Sequence, residues 1–139
     1  MYKKILLAVD GSNHSLRATK EVIKITSCMT DYKVYVVYVA DFSKVKAEVL
    51  HSHGKEEIEV TRRKKLFPIE NELNMQKINY EFTLLRGEPG PTIVDYANKN
   101  DFDLVVIGSR GLNSLQEMVL GGVSHKVMKR VKCPALIVK

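Results

Sequence analysis

One stretch limits what this chain can fold into more than any other. Residues 103–127 run from an unbroken apolar segment, Leu104-Val105-Val106-Ile107, through glycines at 108, 111, 121 and 122, into a helical pattern. The apolar segment is short and β-branched, which reads as a strand buried on both faces, as in a parallel sheet. Val123, Val127 and Val131 then follow at four-residue spacing, on one face of a helix. The first turn of a helix has amides without intrahelical partners and a partial positive charge, and glycine lets an anion reach the backbone with no Cβ in the way. Strand, glycine loop and helix therefore stand in the order a phosphate site needs.

The rest of the chain supplies a frame for that unit. Residues 3–9 read as a first strand and Asp10-Gly11-Ser12 as the turn into a helix, with Ser12 or Asn13 as N-cap. Ala18, Val22, Ile25 and Met29 recur on one helical face, and residues 33–40, rich in valine and tyrosine, read as a second buried strand. Residues 41–54 carry no strand signal. Residues 55–77 are helical in composition, with Ile58, Leu66, Ile69 and Leu73 inward, and Pro68 predicts a kink or break because an interior proline costs on the order of 3 kcal/mol. Ile78, Tyr80, Phe82 and Leu84 alternate with polar residues, as in a strand near a sheet edge. Residues 86–91 read as a turn, 92–100 as a short helix using Ile93, Val94 and Ala97, and 134–138 as the last strand. Strands alternating with helices predict a three-layer α/β fold around a five-stranded parallel sheet, as one domain over residues 1–139.

Bulk properties narrow the function classes. With 45% hydrophobic and 27% charged residues the composition is that of a globular protein, and no apolar run approaches the ~20 residues of a membrane span. The segment after Met1 is too short in apolar residues for a signal peptide, so a cytoplasmic location is expected, and Cys28 and Cys133 show no motif spacing. A net charge of +6 favours anionic partners in general. Its densest source, Arg62-Arg63-Lys64-Lys65, reads as a solvated helix face, with Glu56, Glu57 and Glu59 nearby, so nucleic acid is not the expected partner. There is no Gly-Lys-Ser/Thr of a P-loop and no Gly-x-Gly-x-x-Gly. His51 and His53 lack further ligands beside them, no metal site is expected, and no nucleophile, base and orienter set is visible.

Gly108-x-x-Gly111, nine residues, then Gly121 resembles the nucleotide-binding signature of the universal stress protein family. The opening Lys4-Ile-Leu-Leu-Ala-Val-Asp-Gly-Ser12 and the terminal Cys133-Pro-Ala-Leu-Ile-Val138 are similar to that family as well. One position departs: where the family has Ser or Thr after the third glycine, this chain has Gly122. The resemblance implies strand order 3-2-1-4-5 in an adenine nucleotide alpha hydrolase-like fold. It also implies a phosphate-binding stretch made of Ile107, Gly108, Ser109, Arg110, Gly111, Gly121, Gly122, Val123 and Ser124. Asp10 would accept from ribose hydroxyls, with a helix-capping carboxylate as its alternative role, and Val39 and Ala40 would offer backbone to an adenine. Arg110 would meet phosphate charge or stand as an exposed loop arginine; Ser109 and Ser124 would donate to phosphate or cap backbone.

The expectation is a universal stress protein that binds an adenine nucleotide, ATP with Mg²⁺, and works mainly by binding in a stress-response role. Two alternatives stay open: a dimeric interaction protein without nucleotide binding, which Gly122 favours, and a slow ATPase or self-phosphorylating enzyme. In the implied order residues 134–138 lie at a sheet edge with no inward charge, and the resemblance implies a homodimer formed there.

Overall fold

The computed structural model describes residues 2–40, 55–110 and 121–139, and their side chains outside residues 55–61. In chain order these form β1 (Lys4–Val9), α1 (Asn13–Thr26), β2 (Lys33–Ala40), α2 (Lys55–Met75), β3 (Tyr80–Arg86), α3 (Pro89–Lys99), β4 (Leu104–Gly108), α4 (Gly122–Arg130) and β5 (Ala135–Val138). The strands make one sheet of order β3-β2-β1-β4-β5. Every pairing is parallel, and Ala8 of β1 stands between Val37 of β2 and Ile107 of β4. The reversal of strand order thus falls between β1 and β4, both of which carry unbroken apolar runs. Both are covered on both faces, which explains why neither alternates.

Helices α1 and α2 close one face, where Ala18, Val22, Leu66, Ile69 and Leu73 pack on Ile5, Leu7, Val36 and Val106. The other face carries α3 and α4, with Ile93, Ala97 and Val127 on Leu6, Ala8, Val105 and Ile107. Three layers result, as the alternation of elements predicts. Ile58, expected on the inward stripe of α2, lies outside the described side chains.

Three expectations about the helices need correction. The buried face of α1 is Ser15, Ala18, Thr19, Val22 and Thr26; Ile25 is only half-buried, and Met29 lies beyond the helix end. The buried hydroxyls of Thr19 and Thr26 donate back to the carbonyls of Ser15 (2.8 Å) and Val22 (2.9 Å), so they enter the core already satisfied. Pro68 does not break α2, which runs on to Met75. Pro68 and Lys64, whose carbonyl a residue with an N–H at 68 would bond, are both exposed, so the missing donor falls on the solvent side of the helix. Finally, α3 starts at Pro89 with Glu88 as N-cap, three residues earlier than the prolines suggest. A proline in the first turn loses nothing, since its amide would have no partner there.

Candidate functional site

The carboxyl ends of β1 and β4 bring Asp10 and Ser109 to the same edge of the sheet, because Ala8 and Ile107 are register partners. Asp10 is built into the start of α1. Its Oδ1 accepts the Ser12 amide (2.9 Å) and the Ser15 hydroxyl (2.7 Å), while its own amide donates to Ser15 Oγ (2.9 Å). Ser12 is the N-cap and accepts the Ser15 amide (3.1 Å). Asp10 thus holds the amide of the N-cap residue and the hydroxyl of Ser15, while the cap of α1 itself is Ser12. The same bonds fix the carboxylate at the mouth of the β1–β4 reversal. Gly11 bridges the two elements at φ +85°, and a Cβ there would stand 3.1 Å from Lys65 Cβ, so only glycine turns the chain under α2.

After β4 the chain is held twice. Ser109 donates its amide to the Val138 carbonyl (2.7 Å), which ties β4 to β5. Its carbonyl accepts the Gly121 amide (2.9 Å) and the Ser124 hydroxyl (2.6 Å). The connection therefore leaves and returns at one residue, and α4 begins directly beside the end of β4. Gly121 is the N-cap and supplies no side-chain cap to the first turn. Among the described residues a Cβ at Gly122 would meet nothing within 4 Å. Ser124 is buried, and its hydroxyl also points to the Gly121 carbonyl (3.0 Å). Its one proton is committed to the junction, which makes its backbone amide the group it has to offer an anion. Val123 lies half-buried in the same first turn.

Gly108 has a reason the motif does not show. A Cβ there would stand 2.7 Å from His14 Cβ and 2.8 Å from the His14 carbonyl carbon, so the glycine lets α1 lie down on β4. His14 Nδ1 is 3.4 Å from the buried Ser109 Oγ. Burial, then the charges of Arg17 and Arg110, lower the His14 pKa from its ordinary value, against a backbone hydrogen bond to Val138 and the Asp10 charge. Arg110 thus projects its charge toward the same corner as Asp10. Sequence reasoning passed over His14: a lone histidine in a first turn carries no motif, and only the Gly108 contact distinguishes it.

At the end of β2, Val34 donates to the Asn79 carbonyl and the Ala40 carbonyl accepts from Gly87, so even-numbered residues bond toward β3. Alternation turns the backbone of Val39 toward β1, one step past the last pair, Val9 with Tyr38. Of the two residues expected to meet an adenine, Val39 faces the crevice and Ala40 is engaged with β3. Burial raises the Tyr38 phenol pKa, Asp10 adds to the rise, and Arg62 opposes it, which puts Arg62 of α2 within electrostatic reach of this edge. Gly111 lies outside the described residues.

A parallel sheet of order 3-2-1-4-5, with a glycine-punctuated junction after β4, defines an open α/β protein whose crevice opens at the β1–β4 reversal. The chain belongs to the universal stress protein family, whose model matches residues 1–139. It is 35% identical over 150 residues to universal stress protein MJ0531 of Methanocaldococcus jannaschii, covering 100% of this chain and 83% of that one. The solved structure of MJ0577 superposes with a TM-score of 0.86 at 29% identity, over 100% of this chain and 96% of the other. A universal stress protein solved in complex with cAMP shares the fold, with a TM-score of 0.70 at 23% identity, over 99% and 97% of the two chains.

Proposed function

We propose that this protein binds an adenine nucleotide at the carboxyl edge of β1, β2 and β4, that the nucleotide is ATP carried with Mg²⁺, and that it acts by binding in a stress-response or regulatory role. The observation that carries the reading is the amino end of α4. It has no side-chain cap, begins with two glycines, and is pinned to the end of β4 by the Gly121 to Ser109 bond. Amides of Gly122, Val123 and Ser124 would receive phosphate oxygens, Arg110 would add charge, Asp10 would accept from the ribose, and Val39 would present backbone to the adenine. Magnesium would bridge phosphate oxygens and water, the coordination it favours when a triphosphate is present. The cAMP held by a relative of the same fold supports the adenine assignment.

One observation favours a second reading, a dimeric interaction protein without nucleotide: Gly122 removes the hydroxyl that the family places on the phosphate. Native mass spectrometry of the purified protein, followed by calorimetric titration with Mg-ATP, separates the two. A copurified adenine nucleotide or a saturable heat supports binding; neither, at millimolar nucleotide, leaves the interaction protein.

A further inference from the structure

We propose that His14 is a phosphate-facing residue of this site and that nucleotide binding takes up a proton on its imidazole, so that affinity rises as the medium becomes more acidic. The proposal rests on the nucleotide-binding reading above and adds a residue and a regulation to it. His14 is the second residue of α1, and its backbone is wedged against Gly108 at the end of β4. Its Nδ1 lies 3.4 Å from Ser109 Oγ, and the Ser109 carbonyl is the anchor for the first turn of α4. The amino ends of α1 and α4 thus meet the same strand end, with the imidazole at the corner between them.

The charges facing His14 come from several sides. Arg17 lies on its own helix, Asp10 ends β1, and Arg110 follows β4. From β5 it meets the Val138 backbone, with Lys139 next in the chain, and α2 reaches this end of α1 through Lys65, against Gly11. Burial and the two arginines together disfavour the charged imidazole in the free protein. A phosphate at the start of α4 would offset the arginine charge and attract the imidazolium directly, reversing two of those three causes. Histidine is the side chain whose ordinary titration falls between pH 5 and 8, so the change lies in an accessible range. The sign follows: the free form binds its proton more weakly than the complex, and affinity should rise by up to about tenfold per pH unit as pH falls between the two pKa values.

The test uses the full chain with Mg-ATP and with AMP, titrated calorimetrically in two buffers of different ionisation enthalpy at about the ordinary histidine pKa of ~6.5. The parent should take up a proton that His14→Gln does not, and the variant's affinity should lose its rise with acid, falling furthest below the parent's on the acid side. Protonation of the nucleotide itself is common to both proteins and cancels in the comparison. NMR titration of the His14 ring in the parent, with and without saturating AMP, gives the same answer without a variant: the ring pKa should rise on binding. Equal proton uptake by parent and variant, or a ring pKa indifferent to nucleotide, overturns the proposal and leaves nucleotide binding standing. Absence of binding by the parent at every pH overturns both.

Discussion

At Gly108 a single methyl group decides whether α1 can lie on the sheet. Because the added Cβ would press on backbone as well as on His14 Cβ, Gly108→Ala should destabilise the fold by ~1 to 3 kcal/mol, the usual cost of overpacking, seen as a lower urea midpoint. Gly122 behaves in the opposite way. No described residue would meet a Cβ there and its φ is not left-handed, so Gly122→Ser should fold normally and strengthen Mg-ATP binding by up to ~1.5 to 3 kcal/mol, the worth of a hydrogen bond to a charged group. No gain in calorimetric affinity would mean that phosphate does not reach this position. Gly108 is a letter of the motif and Gly122 a departure from it, but the sequence could not show why Gly108 must be glycine, since that reason lies in a contact with distant His14. His14 also makes stability depend on pH. Its pKa in the fold lies below the unfolded value, so unfolding takes up a proton; the contribution is complete above the ordinary histidine pKa and is lost as pH falls through the folded one. His14→Gln should remove that part of the acid-side loss, read from denaturation midpoints on either side of the window.

Among the elements, α2 offers the clearest test. Pro68 sits inside a continuous helix on its exposed side, where it withholds one amide from the Lys64 carbonyl. Pro68→Ala should raise stability by as much as ~3 kcal/mol, measured by thermal or urea unfolding, with no change in nucleotide affinity. An unchanged midpoint would show that the helix has already relaxed around the ring. The strands were the readable part of this chain: β1, β2 and β4 are apolar runs bounded by Asp10, Asp31 and Gly108, and their central burial leaves no competing pattern. Helix faces were harder. A reading that follows apolar residues alone rotates α1 toward Ile25 and Met29, because it cannot see that Thr19 and Thr26 close their hydroxyls on the helix backbone and bury as readily as valine. The start of α3 was missed for a related reason. Proline reads as a breaker wherever it stands, although in a first turn it begins a helix as well as any residue. The candidate site was drawn from glycine spacing and from Asp10, whereas which of Val39 and Ala40 turns its backbone away from β3 needed the bonding direction of β2.

For the molecule as a whole the open question is the β5 edge. Carbonyls of Pro134 and Val138 accept from Val105 and Ser109, so the even-numbered residues bond inward and the backbone of Ile137 points away from the sheet. We expect a homodimer through this edge, as its lack of inward charge suggests. Ile137→Pro would remove an outward amide without touching the β4 pairing, so it should convert a sedimenting dimer to monomer with an unchanged circular dichroism spectrum. A parent that sediments as a monomer at micromolar concentration would refute the interface. A different consequence follows from the Gly121 to Ser109 bond. The two ends of the intervening chain are fastened at 2.9 Å, so its entry and exit points are set by the sheet and not by its own sequence. Doubling the length of such a closed segment costs only ~0.6 kcal/mol of chain entropy. A longer chain between the same two anchors would therefore leave the scaffold beneath close to its present stability.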